Sequence, residues 1–469
     1  MHTIKQEWFG NVRADLLAGI VVGLALIPEA LAFSFIAGVD PRVALYASFV
    51  MAVVISFAGG RPAMISASTG AMALVIVSLV ANHGVQYLLA ATILTGIIQI
   101  ILGIFGVANL MRFIPNSVML GFLNALGIMI FLAQMPYLVG GNAATYIFAI
   151  ATLILVYLIP RMIKAVPAPL VAIVVMTIIA LISGVNMQTI GDLGTMPDTL
   201  PTFLFPDVPL TLETLKIILP YSLALAVVGL LESLLTSQVL DEMTQTPSNK
   251  NKEARGQGIA NIFTGLLGGM AGCALIGQSV INVKSGGRGR LSTFTAGVFL
   301  MFLILVLGDV VAIIPMPVLV GIMIMVSATT FNWSSFKFIK QAPKSESFVM
   351  LATVAIILFT NNLAVGVVLG VILSSLIFVA KSSKVLVNRE DNHFHVRGPL
   401  FFASTTKFAK AFDDVEAKDI MIDFTESHIW DESAVSAVIK VKQKLEQNGA
   451  TVHIQGLNAS SQQLYQQLT

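Results

Sequence analysis

Residues 256–283 form a run of 28 residues without a charge, and seven of them are glycine: Gly256, Gly258, Gly265, Gly268, Gly269, Gly272 and Gly277. A stretch this apolar and this interrupted is no lipid-facing helix. Non-helical backbone at membrane depth persists only where protein buries it or where it lines a cavity. Broken apolar segments in matching positions of two halves point to a transport binding site. The match is residues 59–75, GGRPAMISASTGAMALV, again small, polar and broken before turning apolar. An apolar helix with a lone acid precedes each stretch, Glu29 before the first and Glu232 before the second, about 200 residues apart.

The chain has 469 residues, 56% hydrophobic and 11% charged, with a mean hydropathy of +0.87. These values place it among polytopic membrane proteins, so the lipid bilayer is its first partner. A net charge of only +2 suggests no nucleic-acid partner. The single cysteine, Cys273, excludes an intramolecular disulfide and a multi-cysteine metal cluster, and its bland reading is a small residue in a packed helix turn. The first 25 residues hold Glu7, Arg13 and Asp15 and no cleavage pattern, so the first helix is expected to stay as an anchor.

Charge usage changes near Val385: the 85 residues from there on carry 8 Lys/Arg and 11 Asp/Glu, against 19 and 14 in the 384 before them. A membrane domain (1–384) and a small soluble domain (385–469) follow, with Lys381 to Lys384 as the joint. About fourteen membrane segments are read: 16–35, 44–57, the broken 68–80, 88–105, 115–133, 145–159 and 167–182, then 217–240, 257–267, the broken 277–283, 292–307, 314–330, 348–359 and 364–379. Seven plus seven is an odd-numbered repeat, which sets the halves in opposite orientations. With the N-terminus inside, seventeen Lys/Arg residues, Arg112 and Lys164 among them, fall on the cytoplasmic side, and only Arg42 and Lys216 fall outside. The chain is therefore expected in the plasma (inner) membrane with both termini cytoplasmic. In the last domain, 394–402 reads as a strand, 405–412 as a helix, 419–424 as a buried strand, 433–448 as an amphipathic helix and 451–455 as a strand, a small α/β unit with little room for an active site.

Glu29 and Glu232 are the acids placed well inside membrane segments, in IPEALAF and LLESLLTS. Such groups are costly there and by default mark an ion or proton path, the alternative being a structural carboxylate paired within the bundle. Thr236 lies one turn beyond Glu232 on the same helix face, so the pair could hold Na⁺, or the carboxylate alone could carry H⁺. Half-helices starting near Thr69–Ala71 and Gly277–Ser279 would aim backbone N–H groups and positive dipole ends at a central cavity, which is an anion site. Ser66, Ser68, Thr69, Gln278 and Ser279 add neutral donors; the plainer reading is two helix caps without a ligand. Arg61 and Lys284 lie towards the cytoplasmic ends, outside both broken segments. No Walker, HExxH or Gly-x-Ser-x-Gly pattern supports an enzyme or ATP drive, and no cofactor is implied.

Residues 15–48 (DLLAGIVVGLALIPEALAFSFIAGVDPRVALYAS) resemble the opening signature of the SulP family, the sulfate permease-like anion transporters. SASTGAMA (66–73), LLESLLTS (230–237), GQGIANIFTGLLGG (256–269) and INVKSGGRGRLS (281–292) continue the match in order, and DIMIDF with WDESAV is similar to a STAS domain. The resemblance implies two intertwined inverted seven-segment repeats, divided into a core (segments 1–4 and 8–11) moving against a gate (5–7 and 12–14) in elevator fashion. It implies a substrate site between segments 3 and 10, here Ser68, Thr69, Gly70, Ala71, Ile276, Gly277, Gln278 and Ser279, with Glu29 beside them. It implies a cation site at Glu232, Thr236 and Thr69, matching the sodium-coupled bicarbonate members. This chain departs at Glu232, where those members have Asp, at Ile276, where they have Thr, and at Gln278, where animal members have a basic residue. Ser433 falls where related regulators carry a phosphorylated serine; the plainer reading is a helix N-cap after Asp431. The domain is short after Gln455, and the usual last helix is expected to be missing.

The leading expectation is a secondary active transporter of bicarbonate or sulfate coupled to Na⁺ or H⁺. A homodimer is expected, with a regulatory partner at the STAS domain. The alternatives are a nucleobase-cation symporter of the same fold, or an anion channel or scaffold.

Overall fold

The computed structural model describes residues 4–106, 113–162, 167–192, 194–415 and 418–469. Arg112 and Lys164, used in the topology reading, lie outside these. The chain opens with α1 (Ile4–Phe9), α2 (Val12–Ala37) and α3 (Pro41–Ala58). Strand β1 (Ser66–Ser68) leads into the short helix α4 (Gly70–His83), and α5 (Val85–Ile104) follows. Next come α6 (Asn116–Leu132), α7 (Met135–Leu138), α8 (Ala143–Met162) and α9 (Ala168–Ser183). The second half repeats the series as α10 (Leu212–Thr244), α11 (Lys250–Leu266), β2 (Gly272–Ala274), α12 (Ile276–Lys284), α13 (Arg290–Ala312), α14 (Met316–Thr330), α15 (Ser335–Gln341), α16 (Lys344–Thr360) and α17 (Leu363–Ser382). Among the described residues, nine helices are long and apolar enough to cross a membrane, while α4 and α9 are shorter apolar helices.

The halves are interwoven. α13 packs on α2 and α3 of the first half, and α5 packs on α10 and α11 of the second. A second group forms where α6 and α8 meet α14, and α6 meets α16. The α5–α11 crossing is close because Gly96 and Gly258 face one another: a Cβ on either would strike the other's carbonyl oxygen. Every apolar segment expected above overlaps one helix. The largest change is at residue 257, expected as a start; α11 begins at Lys250, because Asn249 caps it by accepting from the Lys252 N–H at 2.9 Å.

Glu29 and Glu232 are half-buried, and two other acids of the membrane domain are fully buried. Glu253, in the first turn of α11, is fully buried and accepts from the Gly60 N–H at 2.7 Å, the Arg61 N–H at 3.0 Å and Gln257 at 2.8 Å. Asp15 is also fully buried.

The chain divides into two compact units at Gly370 and Val371, within α17. In the second, β3 (Leu386–Glu390), β4 (His393–Leu400), α18 (Thr405–Lys410), β5 (Asp419–Ile429), α19 (Glu432–Gln447), β6 (Thr451–Gln455) and α20 (Ala459–Leu468) follow in order. The sheet runs β3-β4-β5-β6, antiparallel at the first pairing and parallel at the other two. Phe394, Phe408, Phe412, Ile422, Phe424 and Val438 fill its core. Two expectations change, and one strand is added. The last helix is present as α20, capped by Asn458, whose side chain accepts from the Ser461 N–H. β3, too polar to read as a strand, pairs with β4. The cap of α19 is Asp431, which accepts from the Ala434 N–H at 2.9 Å; Ser433 stands exposed in the first turn.

Candidate ion-binding site

The two broken stretches meet. β1 and β2 pair antiparallel, Ser66 with Ala274, Ala67 with Cys273 and Ser68 with Gly272. Small side chains permit this approach, and antiparallel pairing sends α4 and α12 away in opposite directions. The ladder lies deep in the first unit, so each backbone group needs a partner. The Leu275 N–H donates to the Ile65 carbonyl at 2.9 Å, the Gly272 N–H to Asn261 at 2.9 Å and the Ala274 N–H to Ser233 at 3.1 Å.

The expected hydroxyl donors largely serve this scaffold. Ser66 accepts from Gln257 at 2.7 Å, Ser68 shares a 2.8 Å bond with Ser48, and Ser279 accepts from the Ile65 N–H at 2.9 Å. What remains is backbone. Helix starts leave their first N–H groups without intrahelical acceptors. At α4, Thr69 caps the Met72 N–H at 3.3 Å and its carbonyl takes Ala73, leaving the N–H groups of Gly70 and Ala71. At α12, the Leu275 carbonyl takes Ser279, leaving those of Ile276, Gly277 and Gln278.

The two termini differ in access. A Cβ on Gly70 would lie 3.0 Å from Phe33 and 3.2 Å from Ile130, so that end is roofed. Gly277 is exposed, and a Cβ there would meet nothing within 4 Å. The α12 terminus is the open one.

Each acid reaches the half-helix of the other repeat. Glu29 on α2 accepts from Gln278 Nε2 at 2.8 Å. Pro28 precedes it and lacks an N–H, so the Leu24 carbonyl has no partner one turn on. Glu232 on α10 accepts from Thr69 Oγ1 at 3.4 Å and from Cys273 Sγ at 2.7 Å, and Thr69 and Cys273 are 3.2 Å apart. Thr236 is buried and donates to the Glu232 main-chain carbonyl at 2.7 Å, not to the carboxylate. Thr69 and Glu232 are thus brought together, with Thr236 turned to its own helix. Cys273 is the residue sequence reasoning missed: it lies in a strand rather than a helix turn, opposite Ala67. Its register could be found only by pairing the two broken stretches.

Arg61 is far from free. It donates to the Leu240 carbonyl at 3.1 Å and to the Thr246 carbonyl at 2.9 Å, and pairs with Asp241 at 3.2 Å, closing the end of α10. Among the described residues, no group of three or more His, Cys, Asp and Glu side chains is placed to hold a metal ion. A cavity of about 800 Å³ lies along the second half of α4, lined by Phe35, Leu74, Ser78, Met129, Tyr137 and Tyr221. It separates α2, α4 and α10 from α6 and α7.

The sequence profile described as Sulfate permease family matches residues 12–154 and 141–353, and that of the STAS domain matches 384–469. The chain belongs to the sulfate permease family. YbaR of Bacillus subtilis (strain 168), with which this member shares 58% identity over 474 residues, is aligned over 99% of each chain. The bicarbonate transporter BicA of Picosynechococcus sp. is 28% identical over 82% of this chain and 73% of its own. The sulfate transporter 4.1, chloroplastic, of Arabidopsis thaliana is 27% identical over 78% of this chain and 58% of its own. The solved transmembrane domain of a cyanobacterial BicA superposes with a TM-score of 0.70 at 27% identity, covering 77% of this chain and 98% of that one. Murine Solute Carrier 26 family member A9, an anion transporter solved in the inward-facing state, superposes with a TM-score of 0.84 at 18% identity, over 97% and 87% of the two chains, a likeness of fold. This sulfate permease family member is accordingly a multi-pass membrane protein with a C-terminal STAS domain.

Proposed function

We propose that this chain is a secondary active transporter of a small inorganic oxyanion, bicarbonate or sulfate, and that a cation gradient drives it. The single observation that carries the reading is the meeting of two half-helix N-termini at the β1–β2 ladder, with Glu29 and Glu232 crossing to them. The family and the names of the relatives, one for bicarbonate and one for sulfate, support the substrate class.

The anion would sit against the N–H groups of Ile276, Gly277 and Gln278, with those of Gly70 and Ala71 opposite. Each helix terminus contributes about 0.3–1 kcal/mol at exposed sites and about 2 when partly buried. Binding is therefore weak and reversible, as a carrier needs. Glu232 would hold the coupling cation. Two donors, Thr69 and Cys273, face its carboxylate, and a thiol is a soft, poor ligand for a hard cation. The thiol disfavours Na⁺, so a proton is the proposed coupling ion. The cavity between α4 and α6 supports movement of the α2–α5 and α10–α13 group against the rest, the elevator scheme. The plasma membrane, cytoplasmic termini and a homodimer complete the proposal.

The test is uptake into proteoliposomes of labelled bicarbonate and sulfate, with H⁺ or Na⁺ gradients imposed separately. Accumulation of one anion driven by the H⁺ gradient is expected. Single-channel currents without gradient-driven accumulation would overturn the reading.

A further inference from the structure

A second pocket, about 730 Å³, lies away from the acids just described. The beginnings of three helices line it: Asn11 at α2, Asn249 at α11 and Gly289 at α13. These helices have 26, 17 and 23 residues, so three positive dipole ends converge. Neither the Asn11 side chain nor Gly289, which has none, caps its own helix.

Side-chain charge adds to this field. Arg290 is matched by Glu7 at 2.6 Å. Asp241 serves two cations, Arg61 at 3.2 Å and Lys250 at 2.9 Å. Lys252 and Arg288 are exposed, line the pocket, and have no carboxylate within ion-pair range among the described residues. Asp15 also lines the pocket; its Oδ1 takes the backbone N–H groups of Arg288 and Gly289 at 2.8 and 3.0 Å, and its buried Oδ2 has no partner. A separate observation comes from the wall: Arg61, 7% exposed, leaves its Nε without a hydrogen-bond partner. Buried polar groups are ordinarily satisfied.

We propose that this pocket binds a phosphate-bearing ligand, held by Lys252, Arg288 and the N-termini of α2, α11 and α13. Its surroundings favour a phospholipid headgroup as the source. Phe9, Leu17 and Phe57 are exposed nearby at 63%, 55% and 62%, and Trp8 packs on Phe57 at 4.7 Å, giving acyl chains an apolar path past α1. The ligand would bridge α1 and three helices, of which α2 also carries Glu29. This inference stands apart from the transport reading.

The experiment uses the full chain in a neutral detergent with three probes: dihexanoyl phosphatidylglycerol, inorganic pyrophosphate and, as a zwitterionic reference, dihexanoyl phosphatidylcholine. Affinity is measured for the wild type, the Lys252→Gln/Arg288→Gln double variant, Lys252→Gln alone and the control pair Lys337→Gln/Lys340→Gln. The double variant should bind the phosphorylated probe at least about tenfold more weakly, the single variant in between, and the control as wild type. Tighter phosphatidylglycerol binding identifies a lipid source; pyrophosphate binding alone identifies a soluble one. Wild-type affinity in the double variant, an equal loss in the control pair, or binding of neither phosphorylated probe would overturn the proposal.

Discussion

Glu29 accepts a hydrogen bond from Gln278 across 2.8 Å of space and 249 positions of sequence. Its counterpart joins Glu232 to Thr69 at 3.4 Å, across 163 positions. Each acid belongs to one half of the chain and each partner to the other. Each bond thus ties a half-helix of one repeat to a long helix of the other.

Neutralising Glu232 should uncouple transport. Glu232→Gln keeps the shape and can still accept from Thr69 and Cys273. Gradient-driven uptake in proteoliposomes should fall to that of empty vesicles while the thermal melt stays near wild type. Uptake that still follows the gradient would refute the assignment.

The open terminus of α12 gives a cleaner probe of the anion than any basic residue. A Cβ at Gly277 meets no neighbour within 4 Å, so the fold should tolerate Gly277→Val. The added methyl groups occupy the space before the free N–H groups, and anion affinity should drop about tenfold, roughly 1.4 kcal/mol. Arg61→Ala should instead lower the melting temperature and spare affinity, since Arg61 closes α10. Equilibrium binding alongside melting curves separates the two.

Removing the thiol tests Cys273 as the positioning partner of Glu232. Cys273→Ala deletes a 2.7 Å hydrogen bond to a carboxylate and should cost about 1–3 kcal/mol of stability. Cys273→Ser retains a donor and should recover most of it. Equal melts for both variants would mean the bond contributes nothing.

In the C-terminal domain, the Thr425 side chain holds the Asp423 carboxyl below its usual range, with Thr425 backbone and Gln455 contacts adding to the effect and partial burial opposing it. A depressed carboxyl contributes stability that is present above its unfolded pKa and lost as pH falls through the folded one. Hydrogen exchange of β5 in the full chain should accelerate as pH is lowered beneath the ordinary carboxylate range, after correction for intrinsic rates. Thr425→Val should shrink that acceleration, because the folded pKa returns towards the unfolded one; an unchanged profile would remove Asp423 from the account.

Much of the membrane unit was legible because its signals are local. Glycine and serine clusters interrupt apolar runs at residues 59–75 and 256–283, and the helix starts at Gly70 and Ile276 fall within one residue of the expected positions. Pairings were not legible. Strands of three residues have no periodicity to read, so β1 and β2 stayed hidden and Cys273 passed for helix packing. The serines looked like ligand donors because their hydrogen-bond partners lie 20 to 214 positions away. Glu253 was missed because α11 is polar through its first two turns, and only the backbone of Gly60 and Arg61 explains its burial.

The β1–β2 ladder also sets a timetable for biosynthesis. Ser66 must wait for Ala274, 208 residues later (274 − 66), before its strand has a partner. At roughly 5–20 residues per second, that is a delay of about 10–40 s. For that interval the nascent chain holds β1 with unpaired backbone, and the translocon or an insertase must shelter it. Truncations or stalls between these positions should leave a species that membrane proteases recognise, even though the preceding helices have already inserted.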